Sequence, residues 1–283
     1  MTALTFVGIG AIGLPMALQL AGAEFEVTGV DPAVGARERA ASAGIAAAAT
    51  ITDAAWTEFV IVMVATPDHL ATLVEQAGDS ARGQTWVIMS TVGPEAIQSQ
   101  SGALVAAGAR VVDAPVTGGV ARAQTGDLVI FVSGEPAAVQ DVTPILSVLG
   151  TVRVVGDHIG DGQAVKIVNQ HLCSIHIVAA AEALNLADSL GLDRASALDL
   201  VSGGAAGSWM LSDRGPRMLG GTDVPVMSTI NIFVKDSGLV AAAAATSGAE
   251  VPLLRAAQER YRLAADAGLG VRDDSRVIET YAR

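Results

Sequence analysis

The chain has 283 residues, of which 51% are hydrophobic, enough apolar material for one large core or two smaller ones. Its formal net charge of −12 argues against a nucleic-acid partner, which would require a basic surface. Every apolar stretch is interrupted well before the roughly 18 residues that a membrane-spanning helix needs, so we expect no membrane segment. The start, MTALTFVGIG, lacks the basic region of a signal peptide, and Cys173 is the only cysteine. We therefore expect a cytoplasmic protein.

Short β-rich runs alternate with helical patterns over roughly the first 155 residues. The strand candidates are, in chain order, LTFVGI, FEVTGV, FVIVMVA, TWVIMST, RVVDAPV, LVIFVSG and TVRVV. Helical patterns such as IGLPMALQLAG and PEAIQSQSGALVAAG lie between them. This alternation predicts a mostly parallel, doubly wound α/β sheet of the Rossmann type. The alanine-rich residues 46–49 are predicted to be helical or packing material.

Helical patterns alone follow after Val155. Residues 163–190 predict one long helix, and the later segments ASALDLVSG, SWMLSDRGPRML, INIFVKDSGLVAAAAAT and PLLRAAQERYRLAADAG predict further helices before a last short one. The sequence thus predicts an α/β domain over residues 1–158. An all-helical domain over residues 159–283, beginning with the long helix, is expected to follow.

A glycine-rich turn joins the first strand to the first helix. It spells G-x-G-x-x-G, with the residues Gly8, Ile9, Gly10, Ala11, Ile12 and Gly13. Glycines in this position permit a tight turn and let helix N–H groups face a pyrophosphate.

The next strand ends on Asp31, whose carboxylate can accept hydrogen bonds from an adenosine ribose and repel a 2′-phosphate. Asp31 also fits a helix cap before Pro32, and Arg37 and Arg39 are close enough in sequence to reach a phosphate. We expect NAD as the cofactor, with NADP not excluded.

The chain contains only two lysines, Lys166 and Lys235, among 17 basic residues. Lys166 lies on the predicted long helix, where Asn169, Gln170 and Cys173 continue its polar stripe at helical spacing. Because Lys166 lies among apolar residues in AVKIV, we expect it to be withdrawn from water. Removal from water favours the neutral amine of a lysine, which accepts a proton, whereas an arginine stays charged. This position therefore suits proton transfer.

Lys235 precedes Asp236 in IFVKD, and the pair fits either surface charges or a site facing a cleft. A second glycine-containing stretch, DAPVTGG, can present N–H groups to an anion, although by itself it fits an ordinary turn better.

These segments together resemble the β-hydroxyacid dehydrogenase family, which includes 3-hydroxyisobutyrate dehydrogenase and tartronate semialdehyde reductase. The similar segments are FVGIGAIGLPMALQL, IMSTVGP, DAPVTGG, GDGQAVKIVNQ and VKDSGLV, in the family's order. The second half is most similar to L-threonate dehydrogenases, except that GSWM lacks an asparagine that is usual in that branch.

The resemblance assigns a role to several residues. It implies that Lys166 is the catalytic lysine and that the substrate is a small carboxylate. Its substrate-binding residues would be Thr117, Gly118, Gly119, Asn169 and Gln170, and its cofactor contacts would include Val64, Ala65, Thr91 and Lys235 beside the glycine turn. It also implies a homodimer or homotetramer.

The expected activity is hydride transfer between NAD and the hydroxyl carbon of a small hydroxy or sugar acid, with a four-carbon acid such as L-threonate favoured. Alternatives are a 3-hydroxyisobutyrate dehydrogenase or a tartronate semialdehyde reductase. An imine reductase is disfavoured because such relatives generally lack the lysine, and a non-catalytic dinucleotide sensor would have little need for it.

The four histidines, His69, His158, His171 and His176, show no metal-ligand spacing, and we expect no metal site.

Overall fold

The computed structural model describes residues 1–281 and divides into two compact units, the second beginning at Ile167. The first unit contains a nine-stranded sheet. Its strands are β1 Ala3–Val7, β2 Glu26–Val30, β3 Ala46–Ala48, β4 Phe59–Val62, β5 Thr85–Ile88, β6 Arg110–Asp113, β7 Val116–Thr117, β8 Leu128–Gly134 and β9 Gly150–Gly156.

The sheet is mostly parallel, as predicted. The strands β3, β2, β1, β4, β5 and β6 follow one another in this spatial order and pair in parallel. Strand β8 is antiparallel to β6 and β7 and parallel to β9. The strand order reverses direction between β1 and β4, which is the switch point where doubly wound sheets bind their ligands.

Helices follow most of these strands: α1 Gly13–Gly22, α2 Val34–Ser42, α3 Pro67–Ala77, α4 Pro94–Ala106, α5 Gly119–Thr125 and α6 Pro136–Leu149. Alternate residues of a strand face opposite sides of the sheet. Accordingly Phe6 and Ile61 belong to one apolar cluster, whereas Val7, Val60 and Trp86 belong to another. Both faces are therefore covered, which explains why the strands read as continuous apolar runs.

Strand β3 was not predicted, and the expectation of a helix was wrong for residues 46–48. The expectation of packing material is confirmed, since Ala47 and Ala48 pack against the two apolar clusters. These three alanines pair in parallel with Thr28, Gly29 and Val30 at the edge of the sheet. Alanine favours helices and has a low preference for strands. The pairing edge of β2 therefore decides the conformation of this segment, against its local preference.

The long helix α7 runs from Asp161 to Ser189, close to the predicted 163–190, and begins within the first unit. It is followed by α8 Arg194–Ser202, α9 Trp209–Met218, α10 Ile230–Ser247 and α11 Pro252–Ala264, and then by two short helices, Ala265–Leu269 and Asp274–Tyr281. The second unit is thus helical, as predicted. Its core includes Ile177, Leu184, Phe233 and Tyr261, and the last two rings stack at 5.3 Å. Within residues 1–281, no helix combines the length and apolar character needed to cross a bilayer.

Candidate active site

The glycine turn after β1 has two crowded positions and one open one. A Cβ at Gly8 would lie 2.4 Å from the carbonyl oxygen of Met63, and one at Gly13 would lie 1.8 Å from that of Gly8. Gly8 also has a φ of 88°, which disfavours other residues. At Gly10, by contrast, a Cβ would meet no atom within 4 Å beyond its two chain neighbours. The turn therefore folds tightly and leaves open space at Gly10, which fits the close approach of a pyrophosphate.

Asp31 directly follows β2, and one of its carboxylate oxygens accepts a hydrogen bond from the backbone N–H of Ala33 at 2.9 Å. The Arg37 guanidinium donates to the carbonyl oxygens of Asp31 and Pro32, both at 2.8 Å. The bond to Ala33 shows that Asp31 stabilises the turn before α2, which starts at Val34. Both the turn-stabilising role and the ribose-binding role remain compatible with this geometry.

Four predicted cofactor segments lie at one edge of the sheet. Gly8 follows β1, Asp31 follows β2, Val64 and Ala65 follow β4, and Thr91 follows β5. Because these strands are parallel neighbours, their carboxyl ends meet at the same edge. The sequence-predicted cofactor residues of the first unit are thus brought together at the switch point of the sheet.

The predicted substrate loop lies at the junction of β7 and α5. Thr117 is the last residue of β7, and Gly118 and Gly119 both have positive φ values, 133° and 69°. A Cβ at Gly118 would lie 2.8 Å from the Arg122 side chain, whereas the space at Gly119 is open. The two glycines are therefore required by the backbone at this turn, and Gly119 leaves room for a ligand.

A buried carboxylate, Asp113, precedes this loop by four residues and is hydrogen-bonded to the start of helix α7. It ends β6, is fully buried, and accepts hydrogen bonds from the backbone N–H groups of Gly160 and Gln163, the Gln163 amide and the Ser133 hydroxyl. Burial raises the pKa of Asp113 to about 6, and the donated hydrogen bonds oppose that rise. The sequence analysis missed Asp113 and Gln163. Their neighbours in sequence suggested the motifs, but only the fold shows that the two residues meet.

Lys166 lies one turn beyond Gln163 on α7 and is buried, with 6% of its surface exposed. Residues three apart on a helix share a face, so Lys166 and Gln163 point to the same side of α7. The sequence prediction that this lysine is withdrawn from water is confirmed.

The second unit contains a linked set of polar side chains on α7 and α10. The Asn169 amide donates to Gln170 at 2.8 Å and to the Cys173 sulfur at 3.4 Å. The Gln170 amide in turn donates to Asp236, whose other oxygen lies 2.9 Å from the Lys235 ammonium. The predicted polar stripe of α7 therefore exists, and Lys235 and Asp236 form an ion pair. Asp236 was not predicted as a site residue, although it orients two side chains that were.

One group of three potential metal ligands exists within residues 1–281, consisting of Asp157, His158 and Asp161. His158 and Asp157 are exposed, and the His158 Nδ1 atom lies 2.6 Å from the Asp157 carboxylate. Exposed acidic groups of this kind are common without an ion. The group lies at the surface where α7 begins and gives no reason to assign a metal.

Two family models together match almost the whole chain. Residues 3–160 match the NAD-binding domain of 6-phosphogluconate dehydrogenase, and residues 160–281 match the NAD-binding domain of NADP-dependent 3-hydroxyisobutyrate dehydrogenase. The chain belongs to the 3-hydroxyisobutyrate dehydrogenase-like family of β-hydroxyacid dehydrogenases. The resemblance inferred from the sequence motifs is thereby confirmed.

Relatives of this β-hydroxyacid dehydrogenase cover nearly its full length. An L-threonate dehydrogenase from Cupriavidus necator is 33% identical, over 97% of this chain and 94% of the relative. A 2-hydroxy-3-oxopropionate reductase from Escherichia coli is 31% identical, over 98% and 96%. The crystal structure of a 3-hydroxyisobutyrate dehydrogenase from Salmonella typhimurium has a TM-score of 0.91 at 31% identity, covering 99% of this chain and all of that one. The protein is therefore an NAD(P)-binding oxidoreductase that acts on CH–OH groups.

Proposed function

We propose that the protein is an NAD-dependent dehydrogenase of a small hydroxy or sugar acid, with a four-carbon acid such as L-threonate favoured and Lys166 as the general acid and base. The observation that carries this proposal is the burial of Lys166 on a helix whose first turn is hydrogen-bonded to Asp113, at the end of β6 and four residues before Thr117. The helix turn that precedes the proton-transfer group is thus held to the segment that leads into the candidate carboxylate-binding loop.

The substrate carboxylate would be bound by backbone N–H groups at Thr117, Gly118 and Gly119. Consecutive backbone N–H groups in such a turn form a site for an anion without a positive side chain. A protein with a net charge of −12 needs local donors of this kind to bind an acid. Asn169 and Gln170, one turn along α7 from Lys166, would bind the hydroxyl groups.

Lys166 would move the proton that accompanies oxidation of the substrate alcohol. As the neutral amine it would accept the hydroxyl proton, and as the ammonium it would polarise the carbonyl oxygen and return the proton in the reverse reaction. Bound NAD would supply the hydride-transfer chemistry at the carbon that bears this hydroxyl group. Burial of Lys166 limits competition from water for this proton.

The proposed cofactor preference depends on Asp31. Its carboxylate would accept from a ribose 2′-hydroxyl and repel a 2′-phosphate. We expect kcat/KM to be higher with NAD than with NADP, and Asp31→Ser to narrow that difference. Asp53→Ser is a suitable control because Asp53 likewise accepts a local hydrogen bond, from the Thr50 hydroxyl. Equal kcat/KM for both cofactors in the unmodified protein would refute the role of Asp31.

The substrate is tested by absorbance at 340 nm with a panel of acids and both cofactors. The panel contains L-threonate, its stereoisomers, 3-hydroxyisobutyrate and, in the reductive direction, 2-hydroxy-3-oxopropionate. The similarity to L-threonate dehydrogenases over nearly the whole chain supports the highest kcat/KM with L-threonate. A higher value with 3-hydroxyisobutyrate or 2-hydroxy-3-oxopropionate would transfer the proposal to that substrate. No turnover of any acid would contradict the proposal.

A further inference from the structure

Gln163 is fully buried, and both ends of its amide are engaged. Its oxygen accepts hydrogen bonds from the backbone N–H groups of Val92 and Gly93, each at 3.0 Å. Its nitrogen donates to the Ser90 carbonyl oxygen at 3.0 Å and to the Asp113 carboxylate at 2.9 Å. A primary amide offers two acceptor sites and two donors, so this side chain satisfies all four partners.

These four bonds connect three segments of the first unit. Ser90, Val92 and Gly93 belong to the loop between β5 and α4, Asp113 ends β6, and Gln163 lies in the first turn of α7. Thr91, the expected cofactor contact of that loop, therefore lies between residues that a single side chain holds.

We propose that Gln163 is a positioning residue that fixes the Ser90–Gly93 segment against the start of α7, so that Thr91 and Lys166 keep one mutual arrangement. This inference rests on the proposed function, because it takes Thr91 as a cofactor contact and Lys166 as the proton-transfer group. The hydrogen bonds explain how Thr91 and Lys166 are linked. Gln163 is bonded to both neighbours of Thr91, Ser90 and Val92, and Lys166 lies one helical turn after Gln163. Movement of the loop thus requires breaking bonds to the helix that carries the lysine.

The test is Gln163→Met, which keeps the length of the side chain and removes all four hydrogen bonds. Gln84→Met is the matched control. Gln84 is also buried and engaged at both ends, donating to the Thr57 carbonyl and accepting from the Trp86 indole, but it precedes β5, at the opposite end of the strand from Ser90. Both variants leave buried polar groups without partners, so both should be less stable.

Only Gln163→Met should disturb function. We expect its kcat to fall by about 10²-fold, the typical effect of small displacements of reacting groups, and its KM for the acid to change by less than about threefold. In the cofactor-free protein, hydrogen exchange of the Val92 and Gly93 amides should become faster. The dissociation constant for NADH, measured by fluorescence titration, should rise by about tenfold, because the loop must then be ordered on binding.

Gln163→Glu gives a second measurement if the methionine variant does not fold. When protonated it retains the acceptor for Val92 and Gly93 and one donor, but when ionised it faces the carboxylate of Asp113, to which the Gln163 amide donates. Lys166, on the same face of α7, is present in both of the variants compared. Its kcat should therefore approach that of the unmodified protein at low pH and fall as the pH rises, relative to Gln84→Glu.

Unchanged NADH affinity and amide exchange in Gln163→Met would overturn the inference, as would an equal fall in kcat in Gln84→Met. These outcomes are separate from failure of the proposed function. If Lys166→Arg keeps its turnover, the proton-transfer mechanism is wrong, whereas the exchange and NADH measurements still decide whether Gln163 positions the loop.

Discussion

At the residue scale, the glycine turn contains one position shaped by the fold and another that is open to a ligand. Gly13→Ala should lower the free energy of unfolding by about 1–3 kcal/mol or more, because the added methyl group would overlap the Gly8 carbonyl. Gly10→Ala should change it by less than about 0.5 kcal/mol, since that position is open. The same Gly10 variant should bind NADH about tenfold more weakly, because its methyl group occupies the space needed by the pyrophosphate.

Urea unfolding and fluorescence titration of NADH measure the two effects. Gly22→Ala, on α1 and likewise free of close neighbours, is the control for adding a methyl group in this region. If Gly10→Ala bound NADH as well as the Gly22 variant does, the assignment of the turn to the pyrophosphate would be wrong.

At the scale of elements, the start of α7 contains a buried acid whose titration affects stability. Burial raises the pKa of Asp113 to about 6, above its ordinary value of 3.8. Between these values the folded protein holds a proton that the unfolded chain has released, so stability falls as the pH rises through this window. By about pH 7 the loss should be on the order of 3 kcal/mol.

This prediction is measured by urea unfolding of the unmodified protein and Asp113→Asn at several pH values from about 4 to 7. The Asp113→Asn variant should lose this contribution to the pH dependence. It should also be less stable overall, because its amide N–H groups would face the N–H and O–H groups that donate to the carboxylate. Asp199→Asn, at an exposed site on α8, should keep the pH dependence of the unmodified protein. Parallel curves for Asp113→Asn and the unmodified protein would contradict the assignment.

The predicted elements differ in how much the sequence alone could reveal. Strands such as β4 and β5 are mostly apolar runs, and the polar and apolar residues of α7 repeat with the period of a helix. The local sequence pattern was therefore sufficient to predict these elements. Strand β3 consists of three alanines, and its conformation depends on pairing with β2. The hydrogen bonds of Gln163 join residues 71 positions apart, which no local pattern indicates. The sequence thus indicated the motifs of the site, while the side chains that connect them required the fold.

At the scale of the whole molecule, we expect the chain to associate with copies of itself. Several apolar side chains of the helical unit are about half exposed or more: Val168, Leu172, Leu186, Leu190, Leu192 and Leu200. The first three lie on α7 at spacings that place them on one face of the helix, and a contiguous exposed apolar face usually marks an interface. Light scattering at micromolar concentration should give at least twice the 28.6 kDa of one chain.

Leu186→Glu should lower that mass by placing a charge in the interface. Val105→Glu, at a similarly exposed valine on α4 of the first unit, should leave it unchanged. A mass of one chain for the unmodified protein would rule out the association.

The central claim is that Lys166 transfers a proton, and turnover of Lys166→Arg beside Lys166→Ala tests it most directly. Arginine keeps the positive charge but does not release a proton in proteins, so both variants should lose about 10²–10⁴-fold in kcat. NADH affinity, measured in parallel by fluorescence titration, should stay near that of the unmodified protein. If Lys166→Arg keeps most of its kcat, the lysine acts only as a positive charge and the proposed mechanism is wrong.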